Sequence, residues 1–287
     1  MIMRDKIQKS IKDDLEIPPL PQAVLQVQTL VEDPSTTARD LAAVISSDAT
    51  LTARLLKQAN SKFYGYSKSI GTVPLAIVVL GFDTVREIAL GITTLRLADS
   101  AFEQSLLDPE RFWSHSLAVA AGSRIIAQKW RIGLAGEAFV VGLMHDLGRL
   151  LLASYWSNKY KEVINEARSN SRHQYEVENE MLGTNHAEVT SWLLERWKLP
   201  EQMVIAAKQV HQPLEEQTID LSKCVILANW LAHRSGFRHD SDAPYLPEPQ
   251  HIIKTLPGYE EIELRNQIKE LYRQATGLLD ILKSRSF

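Results

Sequence analysis

Nowhere in this chain do apolar and polar residues alternate with a sustained period of two; apolar residues instead recur three and four positions apart almost throughout. That spacing lines one face of an α-helix, whereas a half-buried strand needs alternation. Ala23, Val24, Val27, Leu30 and Val31 form such a stripe after the proline-rich segment IPPLP. Asp33-Pro34 breaks it, and Thr37 with Asp40 three residues on reads as a capping box, with Asp in the place of Glu. Asp48 caps a helix whose apolar face is Leu51, Leu55, Leu56 and Ala59. VPLAIVVL has the β-branched content of a strand, yet Thr72, Pro74 and Gly81 bound it as they bound a helix. Phe63–Tyr66 reads as an aromatic turn, and Asp83 as the cap of a helix reaching about Leu97. The fold class expected is all-α.

Periodicity lapses before Asp108-Pro109, which sets a division into 1–105, 106–240 and 241–287. The middle part reads as helices over about 110–129, 135–155, 158–169, 172–182, 185–197, 201–211 and 218–235. The last part is a loop, HDSDAPYLPEPQ, followed by a polar helix whose narrow stripe is Ile262, Ile268, Leu271, Leu278 and Ile281. Such a helix either lies across the body or pairs with another copy.

A formal net charge of −3 supplies no overall attraction to nucleic acid or to an anionic membrane. Cys224, the single cysteine, lies in apolar KCVILANWLA with no base nearby, so a buried thiol in a reducing cytoplasm is expected rather than thiol catalysis. The N-terminal segment lacks the apolar run of a signal peptide, and VPLAIVVLGF and GRLLLASYW are too short to span a bilayer. The expected setting is cytoplasmic, with neither DNA nor membrane as partner. TTARDLAAVISSDATLTARLLKQANSKFYG does suggest two helices across a turn, but Arg54, Lys57, Gln58, Asn60 and Lys62 are sparse for reading base edges. Two packed helices of a bundle explain it better. Trp192 and Trp197 are read as core, and Glu176, Glu178 and Glu180 as a solvated face.

Polar side chains inside apolar helices need a reason. His145–Asp146 sits in GLMHDLGRLLL, and His115 lies among small residues in FWSHSLAVA. His186 opens a helix behind Thr184, read as its cap, and His211 ends one before Pro213, where its charge would suit the helix dipole. On one helix His145 and Asp146 point about 100° apart and can both reach an ion at its side. Arg149, three residues on, faces the same way and could pair with Asp146 or grip a phosphate. Three readings of the histidine–aspartate pattern stand: a metal site, a salt-bridged core pair, or a site that has lost its chemistry.

In order along the chain, IPPLPQAVLQVQTLVEDPSTTARDLAAVISSDATLTARLLKQANSKFYG, SIGTVPLAIVVLGFDTVREIALG, FWSHSLAVA, GLMHDLGRLLL, TNHAEVTSWLLERWKLP and VILANWLA resemble the HDOD branch of the HD phosphohydrolase superfamily. The resemblance implies an N-terminal helical HDOD subdomain packed on a distorted HD-type helical domain. It implies that His115, His145 and Asp146 hold a first metal ion. His186 and His211 would hold a second, with Asp146 bridging. Where HD enzymes supply a last aspartate, this chain has Asn229, a neutral and weaker donor. Where the related HD-GYP enzymes carry a His-His pair, their GYP loop and a lysine, this chain has His211-Gln212, PLEEQTID and Arg149.

These departures imply a damaged or mononuclear site rather than a working binuclear one. Imidazole and carboxylate donors suit iron, zinc, nickel or manganese, as one or two ions. The resemblance therefore implies a bacterial signalling or regulatory module that acts through a protein partner, its cleft answering to metal, nucleotide or phosphate. The alternative it leaves is a metal-dependent phosphohydrolase on a nucleotide or phosphoester, with catalytic Asp146 and Arg149.

Overall fold

A computed structural model of the chain describes residues 3–60, 69–102, 105–212, 220–239, 244, 246–270 and 272. Those residues are helical with no strand among them, and the chain divides into two compact units. One comprises Met1–Ile17 and Leu97–Lys269, the other Pro18–Arg96 and Glu270–Phe287. This differs from a boundary near 105, because residues 3–17, which include α1 (Met3–Lys9), fold with the later part. Arg4 explains the difference: it bonds Glu188 at 2.6 Å and lies over the Trp192 ring. Arg196 closes the same seam by donating to Ile11 O and Leu15 O at 2.7 and 3.0 Å.

In the smaller unit, α2 (Gln22–Glu32), α3 (Ala38–Ser46), α4 (Ala49–Ala59) and α5 (Val73–Leu80) pack through Val24, Val27, Leu41, Ile45, Leu51, Leu55 and Ile77. The capping box forms: Asp40 N donates to Thr37 Oγ1, and Thr37 N to Asp40 Oδ2 at 2.9 Å. Asp48 and Thr72 cap α4 and α5, and Gly81 ends α5 at φ 82°, where a side chain would be strained. Asp83 does not cap α6 (Phe82–Phe102); it lies in the first turn, paired with Arg86 at 3.2 Å. Gln58 is buried, and Asn60 exchanges two 2.8 Å hydrogen bonds with the Ile70 backbone, so α4 is a packed helix. Lys62 and Phe63–Tyr66 lie outside the described residues.

The larger unit is built around α7 (Pro109–Lys129), started by Asp108, which accepts from Glu110 N and Arg111 N. Small residues such as Ala118, Ala120 and Ala121 let α8 (Ala135–Met144) and α14 (Asp220–Arg234) lie close against it. The helix expected over 135–155 is in fact two. His145–Asp146 forms a turn between α8 and α9 (Leu147–Tyr155), which changes the direction in which the pair points. By length and composition alone Ala135–Tyr155 passes for a membrane-crossing segment, but 83% of its apolar 18-residue window is buried inside the protein. Next come α10 (Ser157–Ser169), α11 (Gln174–Leu182), α12 (His186–Arg196), α13 (Glu201–Gln209) and, after α14, α15 (Gln250–Thr255). The cap of α12 is Asn185, which accepts from Glu188 N; Thr184 donates instead to Glu188 Oε2.

The final helix is described over 261–270 and lies across this unit. Leu264 and Ile268 are buried, with Ile268 against Gly122, whereas Ile262 is 74% exposed and does not belong to the inward stripe. Leu271, Leu278 and Ile281 fall outside the described side chains. Trp192, Trp197 and Cys224 are buried as core residues.

Gly148 sets how closely α9 meets α12. A Cβ there would stand 2.0 Å from His186 O and 2.9 Å from Thr190 N. Backbone cannot yield as a flexible side-chain end does, so overpacking costs about 1–3 kcal/mol or more. Gly148→Ala is expected to lower unfolding free energy by at least ~2 kcal/mol in urea titration; a loss under ~0.5 kcal/mol would show that the helices separate freely.

Candidate metal centre

The turn between α8 and α9 holds His145 and Asp146 at the middle of the larger unit, both essentially inaccessible. Thr190 pins it: the hydroxyl accepts from Gly148 N at 2.8 Å and lies 2.9 Å from both His145 O and His186 O. His115 reaches it from α7, His186 from the start of α12, His211 from just past α13, and Asn229 from α14. All six residues expected as donors therefore meet at one cleft.

The spacing falls into two sets that share Asp146. In the first, His145 Nε2 is 3.3 Å from His115 Nε2 and 3.4 Å from Asp146 Oδ2, while His115 Nε2 is 3.7 Å from that oxygen. In the second, His186 Nε2 is 3.2 Å from Asp146 Oδ1 and 2.8 Å from His211 Nε2. Donors about 2.1 Å from one ion stand about 3.0 Å apart at right angles and about 3.4 Å apart at tetrahedral angles. These separations suit donors around an ion.

The partners of the other ring nitrogens decide which atoms are available. His115 Nδ1 is 2.8 Å from Phe237 O, and His145 Nδ1 is 2.8 Å from Gly142 O. A carbonyl oxygen only accepts, so each Nδ1 carries its hydrogen. Burial lowers both pKa values, His115 to about 4, against the opposing pull of Asp146. Both rings are then neutral, and two bare Nε2 lone pairs face each other at 3.3 Å. Only a cation makes that approach favourable. Asn229 Oδ1, buried without a hydrogen-bond partner, is a further acceptor on a residue that lines the same cavity. The residues fit a divalent transition metal.

His186 is held differently. Glu178, wholly buried, accepts from Tyr160 Oη at 2.7 Å, His186 N at 2.8 Å and His186 Nδ1 at 2.6 Å. Burial would depress the His186 pKa, but Glu178 and Asp146 outweigh it and raise the value to about 9. Burial also penalises the Asp146 carboxylate, yet the charged His186 and the hydrogen bond from His239 hold its pKa well below the usual range. Burial and the nearby His186 charge keep His211 neutral; its ring stacks on Tyr175 at 4.6 Å. The expected solvated acidic face is thus corrected: Glu178 orients a site histidine, while Glu180 does pair with Arg172 in the open at 2.8 Å.

Sequence reasoning also missed His233 and His239. His239 Nε2 lies 2.5 Å from Asp146 Oδ2, and both rings approach His115. A signal existed, since His233 lies four residues past Asn229, one turn along the same face. His239 offered none, because it sits beyond the helix, in the stretch whose Phe237 carbonyl orients His115. Arg149 stands 3.7 Å from Asp146 Oδ2 and donates to Gln174 Oε1. A cavity of about 70 Å³ over the cluster, lined by His115, Asp146, Arg149, His186, His211 and Asn229 among others, has room for a few waters or one phosphate-sized group. The Cys224 thiol is pushed up to about 12 by burial, which agrees with an inert core role.

The helical frame and the imidazole–carboxylate cluster define an all-α protein with a candidate binuclear centre. The chain belongs to the HDOD family: a sequence model of the HDOD domain matches residues 17–213. An HDOD domain protein of unknown function from Geobacter sulfurreducens superposes with TM-score 0.73 at 20% identity, covering 97% of this chain and 96% of that one. A provisionally named phosphohydrolase from Shewanella amazonensis SB2B gives 0.74 at 23%, over 96% and 97%. A provisionally named signal transduction protein from Marinobacter aquaeolei VT8 gives 0.77 at 23%, over 98% of this chain and 66% of the other. At these identities the likeness is one of fold. An uncharacterized protein of Treponema pallidum is 23% identical over 93% of this chain, which spans about half (51%) of that relative.

The raised His186 pKa has a thermodynamic consequence in metal-free protein. A histidine titrating at about 9 when folded and about 6.5 when unfolded stabilises fully below 6.5 and loses that contribution as pH rises through 9. His115, pulled down to about 4, and His145, His211, His233 and His239, also lowered by burial, oppose it near 6.5, where the unfolded rings still take up protons, but not above about 7.5. With chelator present, the urea midpoint is expected to fall between about pH 7.5 and 9.5, and Glu178→Gln to flatten the fall. Equal slopes in the two proteins would remove Glu178 as the cause.

Proposed function

We propose that this chain is a bacterial cytoplasmic regulatory module whose HD-type cleft binds a divalent transition metal, as one or two ions, and passes its occupancy to a protein partner. The observation that carries the metal assignment is the pair of neutral imidazoles, His115 and His145, whose Nε2 atoms converge beside Asp146 while main-chain carbonyls fix Nδ1. Histidine ligands with their second nitrogen so held are characteristic of metal sites. His115, His145 and Asp146 would hold one ion, with Asn229 beside them; Asp146, His186 and His211 would hold the other. The donor set favours iron, zinc, nickel or manganese over magnesium. Regulation is preferred to turnover because Asn229 replaces a carboxylate and leaves a bound ion with less charge compensation.

The second reading, hydrolysis of a nucleotide or phosphoester, is favoured by both donor sets being assembled and by Arg149 beside Asp146. A bound ion would supply Lewis acidity and an ionised water. Arg149 would hold the phosphate, and Asp146 would keep its charge at the cluster.

Elemental analysis and turnover measurements test both readings. About one or two ions of iron, zinc, nickel or manganese per chain are expected, falling below ~0.2 in His145→Ala. Asn229→Asp is expected to tighten metal at least tenfold without creating turnover of cyclic di-GMP. Metal content unchanged in His145→Ala would end the assignment, and clear wild-type phosphoester turnover would replace the regulatory reading with the hydrolytic one.

A further inference from the structure

Next to the small cavity over the cluster lies a wider groove of about 420 Å³, within the size range of small-molecule sites. Arg149, Ile164, Arg168, Gln174 and His239 line both, so the two adjoin at those side chains. The groove's charge is one-sided. Arg111, Arg149, Lys161 and Arg168 line it, and among the described residues Asp108 is the one carboxylate that does. Asp108 is already committed: Oδ1 accepts from Glu110 N and Arg111 N at the start of α7, and Oδ2 stands 3.8 Å from Arg111 Nε. A basic lining in a chain of net charge −3 is a local feature, not a reflection of composition.

The neck adds a second observation. Arg149 Nε and Gln174 Nε2 are buried donors without a hydrogen-bond partner, although the two side chains bond each other through Nη2 and Oε1. Leaving buried donors unmatched costs about 1–3 kcal/mol each. A group that only accepts hydrogen bonds would satisfy both, and a phosphate oxygen beside a guanidinium does so with charge assistance.

We propose that this groove is the outer subsite for a polyphosphorylated small molecule. One phosphate sits at the neck against Arg149, Arg168 and Gln174, facing the donor cluster, and the remaining anionic groups lie along Arg111 and Lys161. This rests on the reading that the cleft takes a ligand, and it names the class. A single phosphate engages only the neck, so affinity rises with the number of linked phosphates.

Calorimetric titration of the protein as purified, at fixed ionic strength, tests this with inorganic orthophosphate and tripolyphosphate as probes. Metal content is measured before and after, which exposes any ion stripped by the probe. Wild type is expected to bind tripolyphosphate at least tenfold more tightly than orthophosphate. Arg111→Gln/Lys161→Gln is expected to lose at least tenfold for tripolyphosphate, less than threefold for orthophosphate, and no metal. Equal wild-type affinities for the two probes would overturn the proposal, as would a double variant that binds tripolyphosphate like wild type. Should the double variant misfold, Lys161→Gln alone, at an exposed position, is expected to cost about threefold, and no loss there counts against the groove. A protein without metal that keeps the tenfold preference sustains the groove and sinks the metal reading alone.

Discussion

Everything at the cleft depends on the near contact of α9 with α12 at Gly148. The missing side chain lets the Gly148 amide reach Thr190, and Thr190 in turn lies against the carbonyls of His145 and His186. One hydroxyl thereby ties the histidine–aspartate turn to the helix that begins with His186. The two halves of the cluster share the Asp146 carboxylate, whose Oδ2 lies toward His115 and His145 and whose Oδ1 lies toward His186. A protein interior packed at crystal density transmits such a constraint directly.

The electrostatic design is spare. Among the described residues Asp146 is the one carboxylate lining the small cavity, beside six imidazoles and three guanidiniums, and burial alone would favour its neutral form. Its ionised state is kept by the charged His186 and by the hydrogen bond from His239. The imidazoles divide by their supports. His115 and His145 lean on carbonyls, which leave them neutral, while His186 leans on Glu178, which makes it basic. Ligand affinity and acid–base behaviour are thus set one layer behind the atoms that would touch an ion.

Much of this was legible in the sequence, for identifiable reasons. Helices followed from spacing, and the caps at Thr37, Asp48 and Thr72 from residue type, because both are local properties. The convergence of His115, His145, Asp146, His186 and His211 came from motif order, since nothing local dictates where helix ends meet. The helix over 135–155 was misread because GLMHDLGRLLL keeps its apolar period through the break; the turn at His145–Asp146 is imposed by tertiary hydrogen bonds to α12. Glu178 was misread because three alternate glutamates look solvated. Yet Gln174, Val177 and Leu182 share its side of α11, which placed it inward. His239 could not be found at all, since a residue in a loop has no periodicity to point it.

The supports behind the histidines differ in one more respect. Phe237 and Gly142 hold their rings through main-chain oxygen, which every amino acid at those positions would carry. Glu178 holds His186 with its side chain, which a single codon change removes. The two halves of the cluster are therefore unequal in heredity: the His115–His145 half resists substitution in its supports, while the His186–His211 half can be silenced in one step. A lineage could trade a two-ion centre for a one-ion centre while keeping the first set of donors.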